Sequence, residues 1–448
     1  MTQYKFSRYS FSEKISPELY IHYSSLSNQF ILANSSKHLL LTSATPTEIQ
    51  KKDDELFNLL IEKRFLVETS FDETQFILNR RQDAIERKDW YNVVVNTTLD
   101  CNLDCWYCYE NKVAGSRLSD EVVENISHNI SAHFDHHPFD TLKLSFFGGE
   151  PFMDWKNMIK LIEYGNNFCN KKGIKLILDF TTNATLINAK MVDFLAPYTC
   201  YFQITLDGAE ETHNQIKRHS HLINYNSYQR TLNALRLINS KIPDRLIALR
   251  INFDNRALEQ IDSIIRDISF LDRRLSYVIV KKVWQVDTRT VDKEAVLEVI
   301  QKLFDHDFLP DYYIMPKGGV CFAERENQVL FNYDGKIFKC TTICSFDDEN
   351  SLGTQDNDTG LIIWDEDKIY HWLHDNPQAE CINCKWFGAC LGVCNKQLML
   401  HKNEFICTFD AMNLTQREYL MYLLKYNLLY NKLHHSGKPP YFTLNSQR

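Results

Sequence analysis

A chain of 448 residues exceeds the size at which one hydrophobic core stops growing, so two or three domains are expected. Its 44% apolar and 13% aromatic content suits a folded protein and excludes a disordered one. With 50 basic against 58 acidic residues the net charge is −8, which offers no electrostatic footprint for nucleic acid.

The first twenty residues, MTQYKFSRYSFSEKISPELY, lack the apolar stretch of a signal peptide, and no later run approaches a membrane span. The expected location is the cytoplasm, where thiols stay reduced. There, thirteen cysteines point to metal or catalysis instead of disulfides. Cys169 and Cys200 stand alone and read as core residues, but the others are clustered.

Residues 1–88 read as a separate small unit. LYIHYSSLSNQFILAN alternates apolar residues on both sides of a Ser-Asn turn, as a hairpin does. PTEIQKKDDELFNLLIEKRFLVE predicts a helix ending in a short strand, and NRRQDAIERKD a charged helical linker. From residue 92 strands and helices alternate. The predicted strands are 92–98, 142–147, 175–181, 201–206, 248–253 and 276–282. Between them lie amphipathic stretches such as SDEVVENISHNISAHF, where Ser119 caps and Asp120 and Glu121 suit a helix N-terminus. NSYQRTLNALRLINS and NRALEQIDSIIRDIS are two more. Six βα units imply a parallel sheet, doubly wound or a partial barrel, with its chemistry at the C-terminal strand ends. From 310 to 410 the chain changes character and holds eight of the thirteen cysteines. TQREYLMYLLKYNLLYNKLHH then predicts a terminal helix.

Cys101, Cys105 and Cys108, in CNLDCWYCYE, follow the first of these strands. Three thiolates are one short of a structural zinc site. In a four-iron cluster, three thiolates leave one iron open to bind something else. C-x-x-x-C-x-x-C with Tyr107 before the last cysteine resembles the signature of the radical S-adenosylmethionine (SAM) enzymes. The resemblance extends to Gly148, Gly149, Glu150 and Pro151 at the second strand's end, similar to the family's GGEP motif. Glycines there let backbone approach a ligand closely. Thr182 and Asn183 in TTNATL resemble the third-strand pattern, with Ala184 where glycine is usual. Gln203, Thr205 and Asp207 follow on the fourth strand, and Arg250 and Asn252 on the fifth. Gln203 and Arg250 read equally as SAM contacts and as rim hydrogen bonders, and Asp207-Gly208 also reads as a turn.

The resemblance implies a partial (β/α)6 TIM-like barrel over 89–305. It also implies a SAM-binding [4Fe–4S] cluster on Cys101, Cys105 and Cys108, with Tyr107 packed against adenine. Reductive cleavage of SAM would give a 5′-deoxyadenosyl radical that abstracts a substrate hydrogen. An electron donor such as flavodoxin or ferredoxin is implied as a partner.

The later cysteines resemble the seven-cysteine SPASM pattern over 306–410, ahead of a C-terminal helix over 411–448. Cys381, Cys384, Cys390 and Cys407 would hold one auxiliary [4Fe–4S] cluster. Cys321, Cys340 and Cys394 would hold another, completed by Cys344 or left open to a substrate group. A pair of structural zinc sites is the alternative, and it would make the chain a non-enzymatic partner-binding protein.

SPASM enzymes act mostly on peptides and proteins. Anaerobic sulfatase maturases share both domains, but they carry an aspartate where Thr341 and Thr342 follow Cys340. Residues 1–88 resemble in pattern the small α+β winged-helix-like leader-binding domain of peptide maturases, which adds a leader as an edge strand. The expected function is oxidative modification of a ribosomally made precursor peptide, recognised by leader and core, with sulfatase maturation as the alternative. Tyr313, Glu324, Glu326 and Lys336 lie near the cysteines in sequence, and nothing there selects a general base among them.

Overall fold

A computed structural model describes residues 2–283, 285–286, 291–312, 319–343, 345–402 and 404–434. Tyr313 and Cys344 fall outside them. The described residues form two compact units. One is drawn from Met1–Glu86, Tyr313–Glu324 and Leu373–Arg448, the other from Arg87–Tyr312 and Arg325–Trp372.

The first unit opens with β1 (Tyr4–Phe6), β2 (Ser10–Ser16), β3 (Leu19–Ser24) and β4 (Gln29–Asn34). Helices α1 (Ser35–Ser43), α2 (Pro46–Lys52) and α3 (Asp54–Glu62), strand β5 (Leu66–Glu68) and helix α4 (Glu73–Ile85) follow. The predicted hairpin is β3–β4, with Asn28 in the left-handed region at the turn. Polar β2 adds to it on the other side, and β1 pairs with β5. The long predicted helix is two, divided at Asp53, whose side chain caps α3 by accepting from Leu56 N. Leu41, Ile49, Leu56, Phe57, Leu60 and Phe65 form the core under these helices.

The second unit contains the predicted α/β series. Its strands are β6 (Trp90–Thr98), β7 (Thr141–Gly148), β8 (Lys175–Thr182), β9 (Thr199–Thr205), β10 (Arg245–Phe253) and β11 (Ser276–Lys282). Short β12 (Pro310–Asp311), β13 (Gln328–Phe331) and β14 (Ile337–Phe338) extend the sheet. The order β12-β11-β10-β9-β8-β7-β6-β13-β14 runs without reversal from β6 to β12, with every pair over that range parallel. A doubly wound sheet would reverse its order, so the winding is that of a partial barrel. The helices are α5 (Asp120–His136), α6 (Trp155–Lys172), α7 (Ala189–Leu195), α8 (Glu210–Ile216) and α9 (Ser227–Lys241). Then come α10 (Asn255–Leu258), α11 (Ile261–Asp267) and α12 (Lys293–Asp305). Ser119 caps α5 as expected, accepting from Val122 N at 3.2 Å.

The two sheet faces differ in chemistry. Phe146, Phe180 and Phe202 stack across β7, β8 and β9, with ring centroids 5.4 and 5.1 Å apart. They share the face of Leu142 and Leu144, against which α6 packs closely at Gly165. The other face carries Asp179, Gln203, Thr205 and Arg250, all half-buried. Alternation therefore sends apolar residues to the helices and leaves a polar lining near the strand ends.

His133 on α5 makes this unit sensitive to acid. It stacks on Tyr91 at 3.8 Å, and burial lowers its pKa to about 4, against the opposing hydrogen bond to Asn327. The folded state keeps it neutral while the unfolded chain takes up a proton below its ordinary value. Stability is therefore intact above about pH 6.5 and lost as pH falls towards about 4. In urea titrations at pH 7 and 4.5, His133→Gln should lose less stability than wild type, by about 2 kcal/mol.

Among the described residues no helix is long and apolar enough to cross a membrane. The remaining elements are the hairpin β15 (Gly353–Gln355) and β16 (Ile362–Trp364) and helices α13 (Glu366–Leu373), α14 (Ala379–Asn383), α15 (Phe387–Cys390), α16 (Asn395–Leu400) and α17 (Gln416–Leu433). The helix predicted at the C-terminus is α17, closed by a Thr415–Glu418 capping box. Phe387 and Leu391 share a core with Tyr9, Leu26 and Ile77, so the later cysteines fold together with the N-terminal elements.

Candidate active site

The cysteine loop leaves the C-terminal end of β6, and the end of β7 holds it in place. Gly149 N donates to Thr98 O and Glu150 N to Asp100 O, both at 2.9 Å. A Cβ on Gly148 would overlap the Thr98 carbonyl oxygen, and one on Gly149 the Asp100 carbonyl oxygen. Gly148 also sits at φ +114°. Besides the ligand approach that the motif implies, these glycines serve the chain's own packing. In the fold they let the two strand exits touch, which sets the position of Cys101.

Glu150 is fully buried, and its carboxylate gathers three donors. Thr182 Oγ1 donates at 2.7 Å, Asn183 N at 2.8 Å and Phe152 N at 3.1 Å. Burial raises its pKa to about 7, and these hydrogen bonds oppose the rise. Pro151 starts the short 3-10 turn that aims Phe152 N at Glu150. Asn183 reaches the other way: its Nδ2 donates to Asn102 Oδ1 at 3.0 Å and lies 3.9 Å from Cys101 Sγ. Ala184 holds φ 62°, a left-handed conformation that explains why glycine is usual at this position.

All three thiols are pushed up, first by burial. Cys101 rises to about 12, with Glu150 and Cys105 adding to it, and Leu103 N donates to its sulfur at 3.5 Å. Cys105 and Cys108 rise as well, and Lys217 opposes the rise at Cys105.

A second cluster stands at the ends of β9 and β10. Asp207 is fully buried and accepts from the Tyr107 hydroxyl, from Asn252 N at 2.9 Å and from Asn252 Nδ2 at 3.2 Å. Lys217 Nζ lies 3.5 Å from Asp207 and 3.9 Å from Cys105 Sγ. Arg250 Nε donates to Asn252 Oδ1 at 2.7 Å. Asp207-Gly208 is thus more than a turn, since its carboxylate ties Tyr107 to β10. Gln203 sits beside Thr181 and Ala248 on the polar face.

Two residues here were missed in the sequence. Lys217 follows α8 with no motif around it. Glu110, two residues beyond Cys108, is pushed up to about 7 by burial, and its Oε1 has no protein partner. The site suits an iron–sulfur cluster with a polar ligand. It has three thiols on one loop, a rigid shelf behind them and an orphaned buried acceptor beside them.

Among the later cysteines, Cys381 rises to about 11, first by burial and then through Cys390, Cys407 and Cys384. The charges of these thiols thus reach one another, although among the described residues no group of three or more Cys, His, Asp or Glu side chains is gathered closely enough to hold a metal ion. Glu324, buried and paired with Arg81 at 3.0 Å, accepts from Cys321 N at 3.0 Å and Asn395 N at 3.3 Å, which draws Cys321 towards Cys394. Cys340 belongs to the second unit, where its Sγ is 3.1 Å from Thr342 Oγ1 and Thr341 O accepts from Tyr109 at 3.1 Å. Cys101, Cys105, Cys108, Cys169, Cys200, Cys340, Cys381, Cys384, Cys390 and Cys407 form no disulfide. Glu324 is committed to this clamp, Glu326 O accepts from Lys339 Nζ at 3.4 Å, and Lys336 pairs with Asp334 at 2.8 Å.

Residues 95–268 match the family model of the radical SAM superfamily. A cysteine-type anaerobic sulfatase-maturating enzyme of Clostridium perfringens is 22% identical over 334 residues, covering 66% of this chain and 86% of that protein. The radical SAM cyclopropyl synthase TigE of Paramaledivibacter caminithermalis is 20% identical, covering 76% of each chain. Among solved structures, anSMEcpe with bound AdoMet and a peptide matches with TM-score 0.54 at 17% identity, over 77% of this chain and 99% of that one. SuiB of Streptococcus suis bound to its precursor peptide SuiA matches with TM-score 0.52 at 13% identity, over 92% and 100%. These likenesses in structure show the fold. Residues 95–268 of the α/β unit thus carry the radical SAM match, and a cysteine-type anaerobic sulfatase-maturating enzyme and a radical SAM cyclopropyl synthase are among this chain's relatives.

Proposed function

We propose that the chain is a radical SAM/SPASM maturase of a ribosomally made precursor peptide. The carrying observation is the loop of Cys101, Cys105 and Cys108 locked onto the Gly148–Glu150 shelf, with Asn183 and Lys217 against its sulfurs. When bound, the cluster and SAM supply a reductive cleavage whose 5′-deoxyadenosyl radical takes a substrate hydrogen. Tyr107, held by Asp207, would face adenine, while Glu150, Thr182, Asn183 and Arg250 set the polar walls around SAM. Cys381, Cys384, Cys390 and Cys407 would hold one auxiliary cluster. Cys321, Cys340, Cys344 and Cys394 are assigned to the other on sequence spacing. In the first unit β4 is a sheet edge to which a leader strand would add.

Sulfatase maturation is the second reading, supported by the Clostridium relatives. Against it stand Thr341 and Thr342 after Cys340, where those maturases carry an aspartate. A zinc-stapled binding protein is separated by metal analysis. Anaerobically purified protein should be brown with iron near about twelve per chain, and should form 5′-deoxyadenosine from SAM on reduction. Colourless protein with stoichiometric zinc and no SAM cleavage would sink the enzyme reading. A sulfatase-derived cysteine peptide should stay unmodified.

A further inference from the structure

The sheet face turned away from the helices carries a row of side chains that the protein's own hydrogen bonds leave unused. Thr181 on β8 and Gln203 on β9 are register partners, and Ala248 follows on β10. Phe147 comes next after the helix-facing Phe146 on β7, so alternation turns it to the same side. Phe147, Thr181 and Gln203 are all half-buried. Among the described residues, neither the Thr181 hydroxyl nor the Gln203 carboxamide takes part in a hydrogen bond. Convergent polar groups beside an aromatic ring on a concave face suit a ligand.

The row itself is uncharged, and the ionised groups around it have partners. Below it Lys143 and Asp179 pair at 2.6 Å. Asp244, at the foot of β10, accepts from Thr199. Above it Arg250 Nε donates to Asn252 Oδ1 at 2.7 Å, and Lys281 stands beside Asn252 on β11. At the strand exits Asp207 pairs with Lys217, and Glu150 has its three donors. A carboxamide both donates and accepts, and so does a hydroxyl. The group that answers both at once is a peptide amide, whereas a carboxylate only accepts and an ammonium only donates. Spacing agrees: Gln203 and Thr205 share one face two residues apart, about 7 Å, which is the two-residue repeat of an extended chain. The row lies one to two residues, about 3–7 Å, short of the ends of β8 and β9, so a peptide on it runs up to the cysteine-loop centre.

We propose that Thr181 and Gln203, with Phe147 beside them, seat an extended stretch of the core peptide through one of its backbone amides. Gln203 thereby reads the peptide and not SAM. The inference rests on the maturase reading, which supplies the peptide. Only binding is involved, and no bond is made or broken at the seat.

The test gives the dithionite-reduced holoenzyme SAM, with or without the neighbouring-gene peptide that it modifies on co-expression. Gln203→Leu and Thr181→Val should each raise the peptide concentration for half-maximal modification by about five- to tenfold. Peptide-free 5′-deoxyadenosine formation and its SAM dependence should stay within about twofold. Single N-methyl groups scanned along the peptide each remove one amide donor. The position that weakens wild type by a similar factor should bring no further loss in Gln203→Leu. Unchanged peptide dependence in both variants, or N-methyl losses that all add fully to Gln203→Leu, overturns the seat. So does an equal loss of peptide-free cleavage, or a raised SAM requirement in Gln203→Leu, which would put the carboxamide on SAM. In each of these cases wild type still modifies the peptide, so the maturase reading stands. SAM cleavage with no peptide modified removes that reading and the seat together.

Discussion

Replacing Cys101, Cys105 and Cys108 together by alanine is expected to remove about four irons per chain and abolish 5′-deoxyadenosine formation. These thiols lie on one loop, fixed by the Gly148–Glu150 shelf, and Asn183 after β8 and Lys217 after α8 approach their sulfurs. The loss should be confined to one cluster, because Cys381, Cys384, Cys390 and Cys407 belong to the other unit. Cys169 and Cys200 provide the contrast. Both are buried and apart from the thiol clusters, their sulfurs directed at the Lys175 and Leu195 carbonyls at 3.9 and 3.6 Å. Alanine at either should cost about 1 kcal/mol of packing and leave iron unchanged. Iron quantitation and chromatography of the reaction check both. An iron count unchanged in the triple variant would remove these residues from cluster binding.

Lys217→Met should be the most destabilising single substitution at the site, by about 3–5 kcal/mol in denaturant unfolding. Lys217 and Asp207 are 4% and 0% exposed, so neither charge has water to fall back on. Burial disfavours the ammonium, but Cys105, Tyr107 and Asp207 outweigh it and hold the lysine well above its ordinary value. Without it, Asp207 would be a buried carboxylate relying on the Tyr107 hydroxyl and Asn252 alone. Tyr107 would loosen with it, so SAM affinity should fall together with stability. Lys217→Arg should recover part of both. A stability change under about 1 kcal/mol would mean that the pair is solvated in solution.

Much of the second unit was legible because its strands are long and apolar on one side. All six predicted strands occur within three residues of their expected bounds. Strands β12, β13 and β14 were not, since two to four residues show no periodicity and form only by pairing onto β11, β6 and one another. NRALEQIDSIIRDIS reads as one helix but breaks after Leu258 into α10 and α11. Motif spacing located Cys101, Glu150, Asn183 and Asp207, but their partners arise from sheet register, which spacing does not contain. Lys217 is the clearest case. It meets Cys105, 112 residues away, because the strap after α8 bonds to the cysteine loop, and NQIKRH carries no sign of that. Glu150 shows the complementary gap. Its motif implied a ligand contact, and the three protein donors it also gathers, from the end of β8 and the turn beside it, follow from sheet register.

The most direct test is mass spectrometry of short peptides encoded by the genes neighbouring this chain's own, each co-expressed with it under anaerobic conditions. The account predicts a core peptide lighter by two hydrogens in wild type and unmodified in the Cys101, Cys105 and Cys108 triple variant. A peptide of unchanged mass from active enzyme, or formylglycine formed on a sulfatase peptide, would contradict it.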